Sequence, residues 1–321
     1  MTTPLKPLAG QHILSAGQFT DKDIETVFQY ADNMQKMRRS ELLPVLSGKT
    51  LACVFYEPST RTSSSFIAAM GKLGGTVIPI TQGVQFSSVS KGETLEDTIQ
   101  TLGQYADAIV LRHPDTGSVA MAAEVSPVPV INAGDGIGEH PTQALLDLYT
   151  IKQEMGRLDN LKVAVVGDLA HGRTVHSLLQ LLNRYPGNEF HLVSPWLLRL
   201  DRAGGSPLYD EIRPKVAQTY SVKEGLHEAS AALEQADVVY MTRVQRERFT
   251  YPEQYNDVKN SCLLNRELVS LMKPGARILH PLPRVNEVPP YLDDDPRAAY
   301  FRQVKAGLHV RMAVLAAVMG A

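Results

Sequence analysis

The sequence predicts an α/β protein of two domains, each built on a mostly parallel sheet flanked by helices. Three observations predict it. The chain has 321 residues, 44% of them hydrophobic and 21% charged, enough for two cores at roughly 100–200 residues per domain. Short apolar runs alternate with segments of helical period, the order that a parallel sheet joined by crossover helices requires. A long helical pattern then divides the chain near its middle, from Pro141 to about Met155.

In the first half the expected strands are Leu51–Tyr56, Thr76–Ile80, Ala108–Leu111 and Pro129–Ile131. In the second they are Lys162–Val166, Phe190–Val193, Ala217–Tyr220, Val238–Met241 and Arg277–Leu279. The central helical pattern carries Leu145, Leu146, Leu148 and Tyr149 on an apolar face and stops at Gly156–Asn160. The domain boundary is therefore expected near its end, with one domain over 1–153 and the next over 154–300. A Pro-rich, acidic connection, Val288–Arg297, precedes a terminal helix from Arg302 to about Met319, and the segment 301–321 is expected to pack back on the first domain. There is no repeat of fixed period and no low-complexity segment.

A formal net charge of −2 excludes binding held mainly by a basic surface, so no nucleic-acid partner is expected. Any anion must meet a local site. Two cysteines, Cys53 and Cys262, exclude a disulfide framework and a Cys-rich zinc site, and fit a reduced, cytoplasmic setting. The opening MTTPLKPLAGQ has no charged flank before an apolar signal core, and the longest apolar stretch, Met312 to Gly320, is too short to span a bilayer. No membrane partner is expected.

The chemistry gathers after the strands. Arg61 follows LACVFYEPST, Arg112 ends DAIVL, Arg173 follows KVAVVGDLAHG, Arg243 follows DVVYMT, and Arg284 follows RILHPLP. Singly, each reads as a solvated surface charge. Five in one kind of place read as a set, because the carboxyl ends of strands in open α/β sheets border the ligand crevice. They suit a small, multiply anionic ligand.

Other segments sharpen this. Glu57-Pro58-Ser59-Thr60-Arg61-Thr62 precedes the helical pattern Ser63–Leu73 and brings hydroxyls and a guanidinium to a helix N-terminus, where backbone N–H groups favour an anion such as phosphate. Ordinary capping by Ser or Thr explains the hydroxyls but leaves Arg61 against the dipole. Ser90-Lys91-Gly92-Glu93 fits a capping box, with Ser90 as cap and Lys91 first in a helix Glu93–Tyr105. The loop Gln82–Val89 before it would present Ser87. His140-Pro141-Thr142-Gln143 opens the central helix with Pro at the favoured first position, directing His140 and Gln143 toward the strand ends.

Two near-matches fail. The segment from Gly167 to Thr174 has P-loop spacing, but Arg173 replaces the phosphate-reaching lysine. In the segment from Gly134 to Glu139 a carboxylate, Glu139, stands where the dinucleotide fingerprint places its last glycine. No cofactor is indicated.

Seven blocks, FYEPSTRT, SKGETLEDT, LRHP, HPTQALLDLYTI, GDLAHGRTVHS, MTRVQRER and HPLPRVNE, run in this order from Phe55 to Glu287. Together they resemble the aspartate carbamoyltransferase catalytic chain of the aspartate/ornithine carbamoyltransferase superfamily. The resemblance implies a carbamoyl phosphate-binding first domain and an aspartate-binding second. The implied reaction is carbamoyl transfer from carbamoyl phosphate to the amino group of L-aspartate, the committed step of pyrimidine synthesis.

It implies site roles too. Ser59, Thr60, Arg61 and Thr62 bind the phosphate. Arg112, His140 and Thr62 contact the carbonyl oxygen, and Gln143 holds the carbamoyl amide. Arg173, Arg243 and Gln245 bind the aspartate carboxylates, while the backbone at Leu282 and Pro283 orients the carbamoyl group. Ser87 and Lys91 arrive from a neighbouring subunit, so sites are shared within a homotrimer, which a regulatory or dihydroorotase-like chain could join. Neither a metal nor a nucleophilic side chain is needed, and the departing phosphate is the expected proton acceptor, with His140 a hydrogen-bond donor. Glu57 is expected to pair with Arg173 or Arg248 across the two domains, bracing a closed form after both substrates bind. Ala170 and His171 stand where some members carry Lys and Tyr.

Ornithine carbamoyltransferase is the nearest rival. Its cationic acceptor would be poorly served by a second carboxylate-binding arginine, and Pro281 stands where those enzymes resemble HCLP. A non-catalytic relative on the same fold is the other alternative.

Overall fold

The computed structural model describes residues 8–81, 88–136, 138–201 and 206–321. They form two α/β units: the first runs to Leu146 and takes in Lys305–Ala321, and the second is Asp147–Val304.

In the first unit, α1 (Asp21–Lys36) and α2 (Arg39–Leu42) lead into β1 (Thr50–Phe55), α3 (Thr60–Lys72), β2 (Thr76–Ile80), α4 (Leu95–Gly103), β3 (Ala108–His113), α5 (Ser118–Val125), β4 (Val130–Asp135) and the start of α6 (Pro141–Met155). The strands are all parallel, in the order β2-β1-β3-β4. Leu51 to Phe55 and the whole of β4 are buried, as expected of strands covered on both faces. Ala52, Val54, Ile109, Leu111 and Val130 form a core with Ile99 and Leu102 of α4 and Val119 and Ala122 of α5.

The second unit runs β5 (Lys162–Val166), α7 (Arg173–Leu182), β6 (Glu189–Pro195), α8 (Pro207–Ile212), β7 (Val216–Val222), α9 (Ser230–Gln235), β8 (Val238–Met241), α10 (Pro252–Val258), α11 (Arg266–Leu271), β9 (Arg277–Leu279) and the first residues of α12 (Tyr300–Val318). Its sheet is parallel throughout, in the order β7-β6-β5-β8-β9. Ala164, Val166, Val193, Val239, Met241 and Ile278 pack there against Leu233 of α9 and Leu268 of α11.

Each sheet reverses its direction of growth once. In the first, the chain moves outward from β1 to β2 and returns to add β3 on the other side of β1; in the second, it moves from β5 to β7 and returns to add β8 beside β5. The crevice outside the carboxyl ends at such a reversal is where open α/β sheets bind ligands. The reversal points are thus β1/β3 and β5/β8.

The two units share one edge device. Asp107, just before β3, accepts the Thr50 backbone N–H at 2.8 Å and Lys49 Nζ at 2.9 Å. Asp237, just before β8, accepts the Lys162 N–H at 2.9 Å and Lys273 Nζ at 2.7 Å. In both sheets a carboxylate satisfies the first N–H of the neighbouring strand at the end opposite the reversal crevice.

By contact the units divide inside the two long helices, after Leu146 in α6 and after Val304 in α12. From Asp147 onward α6 bonds to second-unit residues: Asp147 accepts from Tyr240 Oη and Gln303 Nε2 at 2.6 Å each, and Glu154 pairs with Arg277 and Arg302. Beyond Lys305, α12 belongs to the first unit, where the Arg311 guanidinium donates to Ser65 Oγ at 2.5 Å and lies 5.1 Å from the Phe66 ring centroid. No helix among the described residues is long and apolar enough to cross a membrane.

Candidate active site

At the first reversal point, β1 and β3 place Phe55 opposite Arg112, and the Tyr56 N–H donates to the Arg112 carbonyl at 2.9 Å, carrying the pairing one residue past β1. The chain then turns through Glu57, Pro58 and Ser59 into α3. That helix begins three residues earlier than the sequence pattern indicated, so Thr60, Arg61 and Thr62 form its first turn. Ser59 occupies the cap position without making a side-chain capping bond. Its hydroxyl is not committed to ordinary capping, and the first-turn N–H groups carry the positive end of the helix dipole. Thr62 is buried, while Thr60 and Arg61 are exposed.

Arg112 is held by a carboxylate of its own unit. Its Nε and Nη2 both lie 3.2 Å from Glu57 Oε2. Glu57 is thus engaged within its own unit. The turn after β1 carries Glu57 back over the end of β3, within reach of Arg112, a proximity set by strand pairing.

His140 and Gln143 flank the opening of α6, with Pro141 at its first position as expected. The His140 carbonyl accepts the N–H groups of Gln143 and Ala144 at 2.9 and 3.1 Å, and both side chains are buried. The preceding turn is structural: Asp135 accepts the Gly117 and Glu139 N–H groups at 3.0 Å each, and Glu139 accepts the Ala16 N–H.

Lys91 ends a 3₁₀ turn, Ser88–Lys91, and is exposed; it makes no ion pair among the described residues. The expected capping box at Ser90 does not form. Gly92 turns with φ 96°, which ends that turn, and Thr94 caps α4 instead, its hydroxyl accepting the Asp97 N–H at 3.1 Å. Ser87 lies outside the described residues.

At the second reversal point, Gly167 ends β5 with φ 120°, and a Cβ there would stand 2.3 Å from the Thr242 carbonyl. Only glycine allows that approach. Thr242 Oγ1 donates to the Val166 carbonyl at 3.0 Å and accepts the Asp168 N–H at 3.1 Å, pinning the two strand ends together. Asp168 is fully buried; its Oδ1 accepts the His171 N–H at 3.0 Å and lies 3.2 Å from His171 Nδ1. The His171 carbonyl in turn accepts the Arg173 N–H at 3.0 Å and Gln245 Nε2 at 3.2 Å. One carbonyl thus gathers the loops carrying Arg173 and Gln245.

Arg243 is forked by Glu247, with Nη1 3.1 Å from Oε2 and Nη2 bonded to Oε1. That hydrogen bonding lowers the Glu247 pKa and raises that of Arg243, against the opposing effect of burial. Both groups stay charged. The half-buried Leu282 and exposed Pro283 lie in the loop after β9, joined by a cis peptide bond.

Arg284 departs from the set. Its guanidinium is bonded to both carboxylate oxygens of Asp293 and lies 5.2 and 5.5 Å from the Tyr300 and Phe301 ring centroids. It braces the connection to α12 and is not an arginine of the reversal crevice. Each reversal point therefore carries two of the five arginines: Arg61 and Arg112 in the first unit, Arg173 and Arg243 in the second.

The sequence reading missed the partners that hold these side chains. Glu247 carried a visible signal, four residues after Arg243. Asp168 and Thr242 had none, because their role depends on β5 and β8 being neighbours.

Comparison with known proteins agrees with this layout. Residues 11–153 match the family model "Aspartate/ornithine carbamoyltransferase, carbamoyl-P binding domain", and residues 159–318 match "Aspartate/ornithine carbamoyltransferase, Asp/Orn binding domain". The chain is 46% identical over 317 residues to the multifunctional protein CAD of Squalus acanthias, which takes in 98% of this chain but only 14% of that protein. It is 46% identical over 308 residues to the aspartate carbamoyltransferase catalytic subunit of Methanothrix thermoacetophila, covering 96% of this chain and 98% of that one. A Trypanosoma cruzi aspartate transcarbamoylase, solved with carbamoyl phosphate and aspartate, superposes with a TM-score of 0.90 at 41% identity, over 99% of this chain and 100% of that one. The chain belongs to the aspartate/ornithine carbamoyltransferase family.

Proposed function

We propose that the chain is an aspartate carbamoyltransferase, moving the carbamoyl group of carbamoyl phosphate to the amino group of L-aspartate to give N-carbamoyl-L-aspartate and phosphate in de novo pyrimidine biosynthesis. The observation that carries this reading is the pair of arginines at each reversal point. Two anionic substrates need cationic groups to offset their repulsion, and guanidinium forks suit phosphate and carboxylate.

The first turn of α3, with Ser59, Thr60, Arg61 and Thr62, takes the phosphate. Attack by the amine builds negative charge on the carbonyl oxygen, where Arg112, His140 and Thr62 donate, and Gln143 holds the carbamoyl amide. Arg173, Arg243 and Gln245 take the aspartate carboxylates, and the backbone at Leu282 and Pro283 orients the carbamoyl group. Rate comes from positioning and preorganised charge, and the departing phosphate takes the amine proton. Ser87 and Lys91 serve a neighbouring protomer's site in a cytoplasmic homotrimer, which a regulatory or dihydroorotase-like chain can join. The aspartate enzymes among the relatives favour aspartate over ornithine as acceptor.

The test is an acceptor panel with carbamoyl phosphate. Carbamoylated aspartate and no citrulline is the expected result; citrulline, or no transfer to either acceptor, overturns the reading.

A further inference from the structure

The loop from 280 to 287, which presents Leu282 and Pro283, is tied from inside by one imidazole. His280 is 2% exposed. Its Nδ1 accepts the Leu282 backbone N–H at 2.8 Å, and its Nε2 lies 2.8 Å from Glu287 Oε1. A nitrogen that accepts a hydrogen bond carries no proton, so the ring is neutral and its proton sits on Nε2, donated to Glu287. The His280 N–H donates to Gln303 Oε1 at 2.9 Å, and Gln303 Nε2 donates to the buried Asp147 at 2.6 Å, which fixes the imidazole's own backbone.

Glu287 closes the other end. It accepts the N–H groups of Val285 and Asn286, and its carbonyl accepts the Leu264 N–H at 2.8 Å. Burial pushes its carboxyl up, but the hydrogen bonds from His280 and the backbone hold it below the usual carboxylate range, so it remains an acceptor. Leu282 itself sits at φ 57°. A left-handed conformation is unfavourable for a residue with a Cβ and persists only where the surroundings hold it. The His280 Nδ1 bond is such a restraint, applied to the N–H of the strained residue itself.

We infer that His280 is a positioning residue for carbamoyl transfer, setting the Leu282–Pro283 backbone through its unprotonated Nδ1. The inference rests on the proposed role of that backbone and deepens it. With both ring nitrogens engaged, His280 acts on the reaction through Leu282 and not as a proton carrier.

Two isosteres separate the imidazole's two contacts. An asparagine amide oxygen reaches the Nδ1 position and can still accept from Leu282, whereas a glutamine amide nitrogen reaches the Nε2 position and can still donate to Glu287. His280→Gln and His280→Ala are expected to lose about 100-fold in kcat, the scale of a misplaced reacting group, while His280→Asn stays within about tenfold of wild type. The KM for aspartate should move less than kcat in all three. His280→Gln matching or exceeding His280→Asn, or all three turning over like wild type, overturns the inference.

Where the variants do not fold, the wild-type protein decides. In its ¹⁵N-histidine spectrum, an unprotonated Nδ1 coupled across the hydrogen bond to the Leu282 amide supports the assignment, and a protonated Nδ1 overturns it. A wild-type enzyme that makes no carbamoyl-aspartate sinks the reading of the whole site. An active enzyme indifferent to His280 sinks only this step.

Discussion

Glu247 binds the Arg243 guanidinium through both of its terminal nitrogens, four residues along the chain. The fork fixes the plane of the guanidinium, and in the proposed site its remaining N–H groups would meet a substrate carboxylate. Glu247→Gln keeps the size and removes the charge. For a pair this exposed the coupling is about 0.5–1 kcal/mol, so the KM for aspartate should rise about two- to fivefold. Steady-state kinetics with aspartate varied at saturating carbamoyl phosphate measure it, and an unchanged KM would show that Arg243 needs no such brace.

Glu57 has two opposed effects in the first unit. It orients Arg112 through the 3.2 Å contacts, and its negative charge weakens the field available to an anion. Glu57→Gln should therefore separate binding from turnover: kcat falls as Arg112 loses its fixed orientation, while inorganic phosphate binds at least as tightly as to wild type. Calorimetric titration with phosphate beside the steady-state kcat gives both numbers. A variant with weaker phosphate binding and normal kcat would contradict this division.

Arg61 stands in the first turn of α3, against the sign of the helix dipole, where a bound phosphate would compensate it. A charge-assisted hydrogen bond is worth about 1.5–3 kcal/mol, so Arg61→Ala should raise the KM for carbamoyl phosphate about 10- to 100-fold. Because Arg61 is exposed, the thermal midpoint should stay near that of wild type. A large loss of stability with an unmoved KM would give Arg61 a structural role instead.

The strands were legible because a parallel sheet buried on both faces leaves continuous apolar runs, such as Leu51 to Phe55 and Val163 to Val166. Helix α1 is also encoded locally: Thr20 and Asp23 form a reciprocal capping box, and Ile24, Val27, Phe28, Ala31 and Met34 follow at helical spacing. Starts and caps were less legible. Ser90-Lys91-Gly92-Glu93 has the capping-box pattern, yet the chain takes Thr94 as cap because Gly92 adopts a left-handed turn first. Pairings between distant residues were not legible at all. Glu57 finds Arg112 and Arg284 finds Asp293 through strand neighbours and ring stacking, which no local pattern encodes.

The two cysteines give a chemical check on the packing. Cys53 sits inside β1 and Cys262 in the second core, and burial pushes each thiol up to about 12. At pH 8 a thiol of that pKa is about one part in 10⁴ thiolate, and the thiolate is the reactive form. Iodoacetamide should leave the native protein unmodified and add two labels after denaturation, read by intact mass. Rapid labelling of the native protein would show that one of these strands or loops opens readily.

The paired carboxylates Asp107 and Asp237 make the acid limb of stability predictable. Burial pushes both groups up, but the hydrogen bonds from Thr50 and Lys49 to one, and from Lys162 and Lys273 to the other, prevail and hold each below the ordinary aspartate range. A group with a depressed folded-state pKa contributes stability that is fully present above its unfolded value, about 3.9, and is lost as pH falls through the folded value. Asp107→Asn and Asp237→Asn should therefore each lower the unfolding free energy at pH 7 by about 1 kcal/mol after allowance for exposure, seen as a lower urea midpoint, and converge with wild type near pH 2. The Asp237 variant should lose more, since its carboxylate is 15% exposed against 35% for Asp107 and draws on a second cation, Arg157 at 3.7 Å. Asparagine can still accept the strand N–H, so what these variants remove is the charge. Equal midpoints at pH 7 would mean that the hydrogen bond to the strand edge, and not the ion pair behind it, does the stabilising.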